Sequence, residues 1–187
     1  MNDQIAISRL KQGDLNGLEA LVRRYQARAV HAAYLIVSER PLAEDVVQTA
    51  FVKVAERIEQ FDEERPFAPW FFRIVVNDAL KLAKKQKRQV WLDEAPDHPA
   101  AQLAKWLVDP GLQPDQVVEQ KEIRQFVLDA ISRLPPGQRA VIVMRYYLEM
   151  SMSDMSAETG RPLSTIKWWL RDARQRLRGL MDAPLGR

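Results

Sequence analysis

Lys167, Arg171, Arg174 and Arg178 recur at steps of three and four residues, so on a helix they form one cationic stripe. Ile166, Leu170, Ala173, Leu177 and Leu180 follow the same period and form an apolar stripe beside it. Fixed positive charges in a row suit the phosphate backbone of a nucleic acid, whose binding releases condensed counterions. One face of this helix is therefore expected to pack, and the other to meet phosphates.

The elements needed to hold that helix stand immediately before it. Ser151 with Asp154 three residues on is a helix-start signal, because the side-chain oxygens satisfy first-turn amides that have no partner within the helix. Gly160 can take the left-handed conformation of a sharp reversal, and Pro162 suits the start of the next helix. Upstream, Gln138 to Tyr147 has helical apolar spacing and supplies Val141, Ile142, Met144 and Tyr147 as support. The sequence reads as a helix-turn-helix that binds DNA. An amphipathic hairpin packed in a larger bundle, its Arg and Lys merely solvated, is the competing reading of the same pattern.

The chain has 187 residues, of which 47% are hydrophobic, enough for two small helical cores. A formal net charge of +3 is slight beside a pI near 9.3, so the placement of charge matters more than its sum. Between Arg73 and Arg88 the cations are Arg73, Lys81, Lys84, Lys85, Lys87 and Arg88 against Asp78 alone. The second basic run, Arg161 to Arg178, is opposed only by Asp172. Asp93, Glu94, Asp97, Asp109 and Asp115 make the intervening segment acidic. With no cysteine there is neither a disulfide framework nor a thiolate metal site. No apolar run reaches membrane-spanning length, and MNDQIAISRLKQGD lacks the features of a signal peptide, so membrane insertion is not expected and a cytoplasmic location is.

The fold class predicted is all-α, since no alternating apolar run is bounded by hairpin turns. A helix from Ile5 to Lys11 stops at Gly13. Asn16 is expected to cap a long helix carrying Leu18, Leu21, Val22, Tyr25, Ala29 and Ala33. After Pro41, Val47, Phe51, Val54 and Ile58 form a buried stripe that leaves Asp45, Gln48, Thr49 and Val52 nearer the other side. FDEERPFAPWFF, with Pro66 and Pro69, is read as a loop or a helix start, followed by a helix from Ile74 to Lys85. Prolines at 96, 99, 110 and 114 break 93–116 into a linker in which AAQLAKWLV forms a turn or two. A second helical domain starts near Val117 with Val118, Ile123, Phe126, Val127, Ala130, Ile131 and Leu134, broken by Pro135 and Pro136. The domains are thus 1–92 and 117–187.

The order of AEDVVQTAFVKVAERIEQFDEERPFAPWFFRIVVNDALKLAKKQKR, a linker and LPPGQRAVIVMRYYLEMSMSDMSAETGRPLSTIKWWLRDAR resembles a bacterial sigma factor of the sigma-70 family, extracytoplasmic-function (ECF) group. The likeness spans nearly the whole chain and rests on two motifs in order. It implies that 1–92 is region 2, docking on the beta-prime coiled coil of core RNA polymerase and opening the minus-10 promoter element. It implies equally that 117–187 is region 4, reading the minus-35 element and touching the beta flap. By the same resemblance the acidic linker threads toward the polymerase cleft and competes with growing RNA, and an anti-sigma factor is an expected partner.

Residue by residue, the resemblance assigns minus-10 DNA to Phe61, Phe67, Trp70, Arg73, Asn77, Lys81 and Lys84, with Phe61 and its loop shaping a pocket for a flipped base and Asn77 offering its amide to the base edge. The chemistry is compatible, since each stacked base contributes on the order of 1–3 kcal/mol. Phe71 and Ile74 are expected only to pack. Asp45, Gln48, Thr49 and Val52 correspond to the polymerase-docking surface. Minus-35 DNA falls to Ser164, Thr165, Lys167, Trp168, Arg171 and Arg174, with Ser164 and Thr165 near a phosphate at the helix start. Trp168, Trp169 and Asp172 depart from the family pattern. Trp169 is expected to pack partly against the domain, Trp168 to meet a thymine methyl or a protein, and Asp172 to stand where a cation would help bind phosphate.

A helix-turn-helix regulator with an N-terminal sensor or dimerisation domain is the alternative, but such a domain has no need of AEDVVQ joined to an aromatic and basic block. Enzymatic function is not expected: His31 and His98 lack a metal-ligand motif, and no glycine-rich phosphate loop, catalytic set, metal site or cofactor site is visible.

Overall fold

The computed structural model describes residues 2–90 and 125–181, and every regular element among them is helical. The expected linker 93–116, its AAQLAKWLV turn and the start of the second domain near Val117 lie outside the described residues.

Helix α1 (Asp3–Lys11) is capped by Asn2, whose side chain accepts the Ile5 amide at 2.9 Å, and it buries Ala6, Ile7 and Leu10. Gly13 turns the chain at φ +82°. Helix α2 (Leu15–Val37) is capped by Asp14 rather than by Asn16. The Asp14 carboxylate accepts both the backbone and side-chain amides of Asn16, at 2.9 and 2.7 Å, so Asn16 donates where it was expected to accept. Helices α1 and α2 approach so closely at Gly17 that a Cβ there would lie 2.2 Å from the Ala6 carbonyl oxygen.

Helix α3 (Arg40–Arg57) has Pro41 in its first turn, where a missing amide hydrogen costs no hydrogen bond, and buries Val47, Phe51 and Val54. A single 3-10 turn, Ile58–Gln60, leads to the loop 61–66. Lys11 holds that loop, donating to the Phe61 carbonyl at 3.0 Å and pairing with Glu63 at 2.8 Å. Helix α4 runs from Phe67 to Val90, longer at both ends than the expected Ile74 to Lys85. Pro66 directly precedes it and Pro69 lies in its first turn, so of the two readings, loop or helix start, the structure has the helix start. Phe71, fully buried, stacks on Phe51 at 4.7 Å and meets Tyr25, Phe67 and Phe72 at 5.5 to 5.8 Å. Tyr25 adds a hydrogen bond from its hydroxyl to Asp3 at 2.5 Å, which fastens α1 to this aromatic core.

The second bundle contains α5 (125–132), α6 (Pro136–Ile142), α7 (Met152–Thr159) and α8 (Leu163–Met181). Pro136 begins α6, two residues ahead of the expected Gln138. From Val143 to Tyr147 the helix widens, and the Leu148 amide donates back five residues to the Val143 carbonyl at 2.9 Å. Ser151 and Asp154 form the reciprocal cap on α7, and Gly160 ends it at φ +63°, as the sequence predicts.

The two bundles touch. Arg28 on α2 donates to the Tyr147 carbonyl at 3.0 Å, His31 meets the Tyr147 ring at 4.7 Å, and Arg139 on α6 donates to the Ser38 hydroxyl at 2.6 Å. Apolar packing is continuous across this seam.

Gly17→Ala is expected to lower the unfolding free energy by about 1–3 kcal/mol, because backbone atoms of α1 must retreat from the new methyl group. Denaturant titration followed by circular dichroism measures the loss.

Candidate nucleic-acid interface

The turn before α8 is fixed by main-chain bonds: the Pro162 carbonyl accepts the Thr165 amide at 2.9 Å and the Ile166 amide at 3.2 Å. Ile166, Leu170 and Ala173 are then buried, while Leu177 and Leu180 are partly covered. Ser164, Lys167, Trp168, Arg171, Arg174 and Arg178 are exposed, and Thr165 is half-buried. Trp168 keeps 53% of its surface open, high for so large an apolar side chain. Arg174 donates its Nε to the Tyr146 hydroxyl at 2.7 Å, with its guanidinium over that ring. Among the described residues no ion pair engages Lys167, Arg171 or Arg178, so these cations remain available to an external anion.

Trp169 and Asp172 face inward from α8. The Trp169 ring lies against Gly137, where a Cβ would come within 3.2 Å of it, and Arg161 covers it at 4.7 Å. Asp172 accepts a short hydrogen bond from Gln138 and another from Arg176 Nε at 3.1 Å. Asp172, noted as standing where a cation would help bind phosphate, ties α8 to α6 through its carboxylate. Gln138 is buried, and Asp172 supplies the partner its amide nitrogen needs.

In the first bundle Trp70, Arg73, Asn77, Lys81 and Lys84 follow one another at steps of three or four, which gathers them on one side of α4. The opposite side buries Phe71, Phe72, Val75, Val76, Ala79 and Ala83. Phe61 and Phe67 do not join the exposed group. They are 4% and 3% exposed, with rings 5.7 Å apart, and Trp70 rests on both at 4.9 and 5.7 Å. In this arrangement they underpin the half-buried Trp70 instead of presenting faces to a base. Phe71 is core, and Ile74 packs against it, as expected. Asp78, the lone acid of the segment, pairs with Lys53 at 2.6 Å and Lys81 at 3.9 Å.

Asp45, Gln48, Thr49 and Val52 are all exposed on α3, on the side away from Val47, Phe51 and Val54. Val52 is 52% exposed and gives this polar face an apolar end. Tyr146 was missed in the sequence. Its exposure follows from the widened turn at 143–147, which apolar periodicity does not signal; the YY pair was the only hint. Burial draws the Arg139 guanidinium below the usual arginine range and pushes the Tyr147 hydroxyl up.

Comparison with known proteins agrees with this division. Sigma-70 region 2 matches residues 21–89, and Sigma-70, region 4 matches residues 125–177. The ECF RNA polymerase sigma factor SigW of Bacillus subtilis is 28% identical over 173 residues, covering 92% of each chain. The ECF RNA polymerase sigma-E factor of Haemophilus influenzae is 29% identical over 169 residues, covering 89% of this chain and 88% of its own. Among solved structures, CnrH in complex with the cytosolic domain of CnrY superposes with a TM-score of 0.67 at 25% identity, covering 97% of this chain and 98% of that one. The chain belongs to the sigma-70 family of RNA polymerase sigma factors, in the ECF group. Its function is that of a transcription initiation factor, and the regulator with a sensor domain is not favoured.

Asp172→Ala is expected to reduce stability by about 1–3 kcal/mol, because it leaves the Gln138 amide buried without its partner. Thermal unfolding of the variant checks the sign: a gain in duplex affinity with unchanged stability would restore the phosphate-site reading.

Proposed function

We propose that the chain divides the reading of a promoter between its two bundles, with 1–92 acting as region 2, 93–116 as linker and 117–187 as region 4. In region 4, Lys167, Trp168, Arg171 and Arg174 meet the minus-35 element, with Ser164 and Thr165 at a phosphate. In region 2, Trp70, Arg73, Asn77, Lys81 and Lys84 meet the minus-10 strand. Phe61 and Phe67 hold the 61–66 loop and Trp70 in place from below. The observation that carries this reading is the segregation of α8 into a buried apolar face and an exposed face whose cations Lys167, Arg171 and Arg178 form no ion pair among the described residues.

Asp45, Gln48, Thr49 and Val52 dock on the beta-prime coiled coil of core RNA polymerase, and region 4 meets the beta flap. Four exposed residues on one helix side, with Val52 at one end, supply the mixed apolar and polar surface that such docking needs. An anti-sigma factor is a further partner, a reading supported by the similar chain CnrH having been solved in complex with the cytosolic domain of CnrY. The chain works without catalysing a reaction, as a cytoplasmic subunit. No described helix is long and apolar enough to cross a membrane.

Arg171→Ala should weaken promoter binding by about 1–3 kcal/mol if Arg171 reads a base, with the loss confined to the cognate sequence. A smaller loss shared by random DNA, with a shallower salt dependence, assigns Arg171 to the backbone. Filter binding on promoter and scrambled duplexes separates the two. Val52→Glu should abolish co-purification with core polymerase while sparing the melting temperature, since Val52 is already exposed. Retention of core by this variant would remove α3 from the docking surface.

A further inference from the structure

Tyr146 is 55% exposed, yet the main chain that carries it is tightly fixed. The Leu148 amide reaches back five residues to the Val143 carbonyl at 2.9 Å, and the Met150 amide donates to the Met144 carbonyl at 2.9 Å. Glu149 sits at φ +58°, a conformation that a residue with a side chain rarely adopts. Arg145 closes the same turn by donating to the Met150 carbonyl at 2.9 Å. Val143 and Met144 are buried, so the turn is anchored in the core of the second bundle. Departures of this kind persist where the surrounding structure over-determines them, and the residue they bring to the surface is Tyr146.

The contact of Tyr146 is Arg174. The tyrosine hydroxyl accepts the Arg174 Nε hydrogen at 2.7 Å, and the guanidinium carbon lies 5.7 Å from the centre of the same ring. One contact is directional and the other runs through the ring face, so together they restrict the plane of the guanidinium. Its Nη1 and Nη2 nitrogens form no hydrogen bond or ion pair among the described residues, and Arg174 is exposed. Lys167, Arg171 and Arg178, exposed on the same helix, have no such support. A phosphate accepts a cation from many directions, whereas a base edge requires a fork held at one angle. With Nε engaged, the two-pronged end of the guanidinium remains, and its spacing matches the N7 and O6 acceptors of guanine in the major groove. We propose that Tyr146 is a positioning residue that orients Arg174 for end-on reading of one guanine in the minus-35 element. The inference rests on the assignment of Arg174 to that element.

The test uses the full chain assembled with core polymerase, on a fluorescent promoter duplex recovered by run-off transcription from a genomic library. Affinity is compared on that duplex, on a scrambled duplex, and on duplexes carrying deazaguanine at each minus-35 guanine in turn. Deazaguanine lacks the N7 acceptor and still pairs with cytosine. The native chain should lose roughly fivefold at one guanine, the lower end of what a bidentate arginine contact discriminates. Arg174→Ala should ignore the substitution at that guanine. Tyr146→Phe keeps the ring and removes the acceptor, so it should lose most of the sensitivity at the same guanine while thermal unfolding and scrambled-duplex affinity stay unchanged. In the Arg174→Ala background, Tyr146→Phe should have no further effect. Equal losses in both backgrounds, a loss shared by the scrambled duplex, or undiminished sensitivity at the guanine overturns the positioning role. In the free chain, nuclear magnetic resonance should show the Arg174 Nε hydrogen exchanging with water more slowly than that of Arg171, a difference that Tyr146→Phe removes; equal rates in the native chain count against the inference. If Arg174→Ala leaves every minus-35 affinity unchanged, the assignment of Arg174 fails as well. If Arg174→Ala blinds the chain to the guanine and Tyr146→Phe does not, only the role of Tyr146 falls.

Discussion

The packing of Phe71 against four other rings fixes the angle at which α4 crosses the first bundle. Tyr25, Phe51, Phe67 and Phe72 come from α2, α3 and α4 itself, so one buried side chain joins three helices. Rotating α4 about its axis would break this aromatic contact before it moved any cation. The side bearing Arg73, Asn77, Lys81 and Lys84 is therefore set by the burial of its opposite side. The same logic governs α8, where Ile166, Leu170 and Ala173 at full burial decide where Lys167 and Arg171 point.

Much of this was legible in the sequence because it depends on local chemistry. The cap at Ser151, the reversal at Gly160 and the stripes of α8 need only residue type and spacing, and the same is true of the exposed side of α3. The failures fall where a contact partner decides the outcome. Asp14 is the cap in place of Asn16 because the helix begins at Leu15, which puts Asn16 inside the first turn, where both its amides donate to the Asp14 carboxylate. Pro136 was read as a break although it opens a helix, where proline is tolerated. Phe61 and Phe67 look like stacking platforms in a list of aromatics, and only their tertiary neighbours place them underneath Trp70. Asp172 looked like a misplaced charge beside DNA until Gln138, thirty-four residues earlier, was seen to need it.

Polar groups at the seam between bundles behave differently from those at the ends of helices. The Ser151 and Asp154 cap satisfies donors that would otherwise be orphaned, and it stabilises α7 in any arrangement of the two bundles. Arg139 meets Ser38, Arg28 the Tyr147 carbonyl and Glu158 Arg73 across the seam, contacts that need the two bundles side by side. Folding of each bundle and docking of one on the other are thus governed by separate sets of side chains. Natural variation at the seam can retune docking without threatening either core.

The widened turn at 143–147 has a consequence for how this chain tolerates length changes. A bond that reaches back five residues accommodates one residue more than an α-helix would over the same rise. Deleting a single residue there would restore ordinary helical winding and rotate everything downstream by about 100° about the axis. Tyr147 would swing away from His31, while the buried stripe before Val143 stayed in register. The extra residue acts as a phase adjuster, allowing one continuous segment to face its own core upstream and the neighbouring bundle downstream.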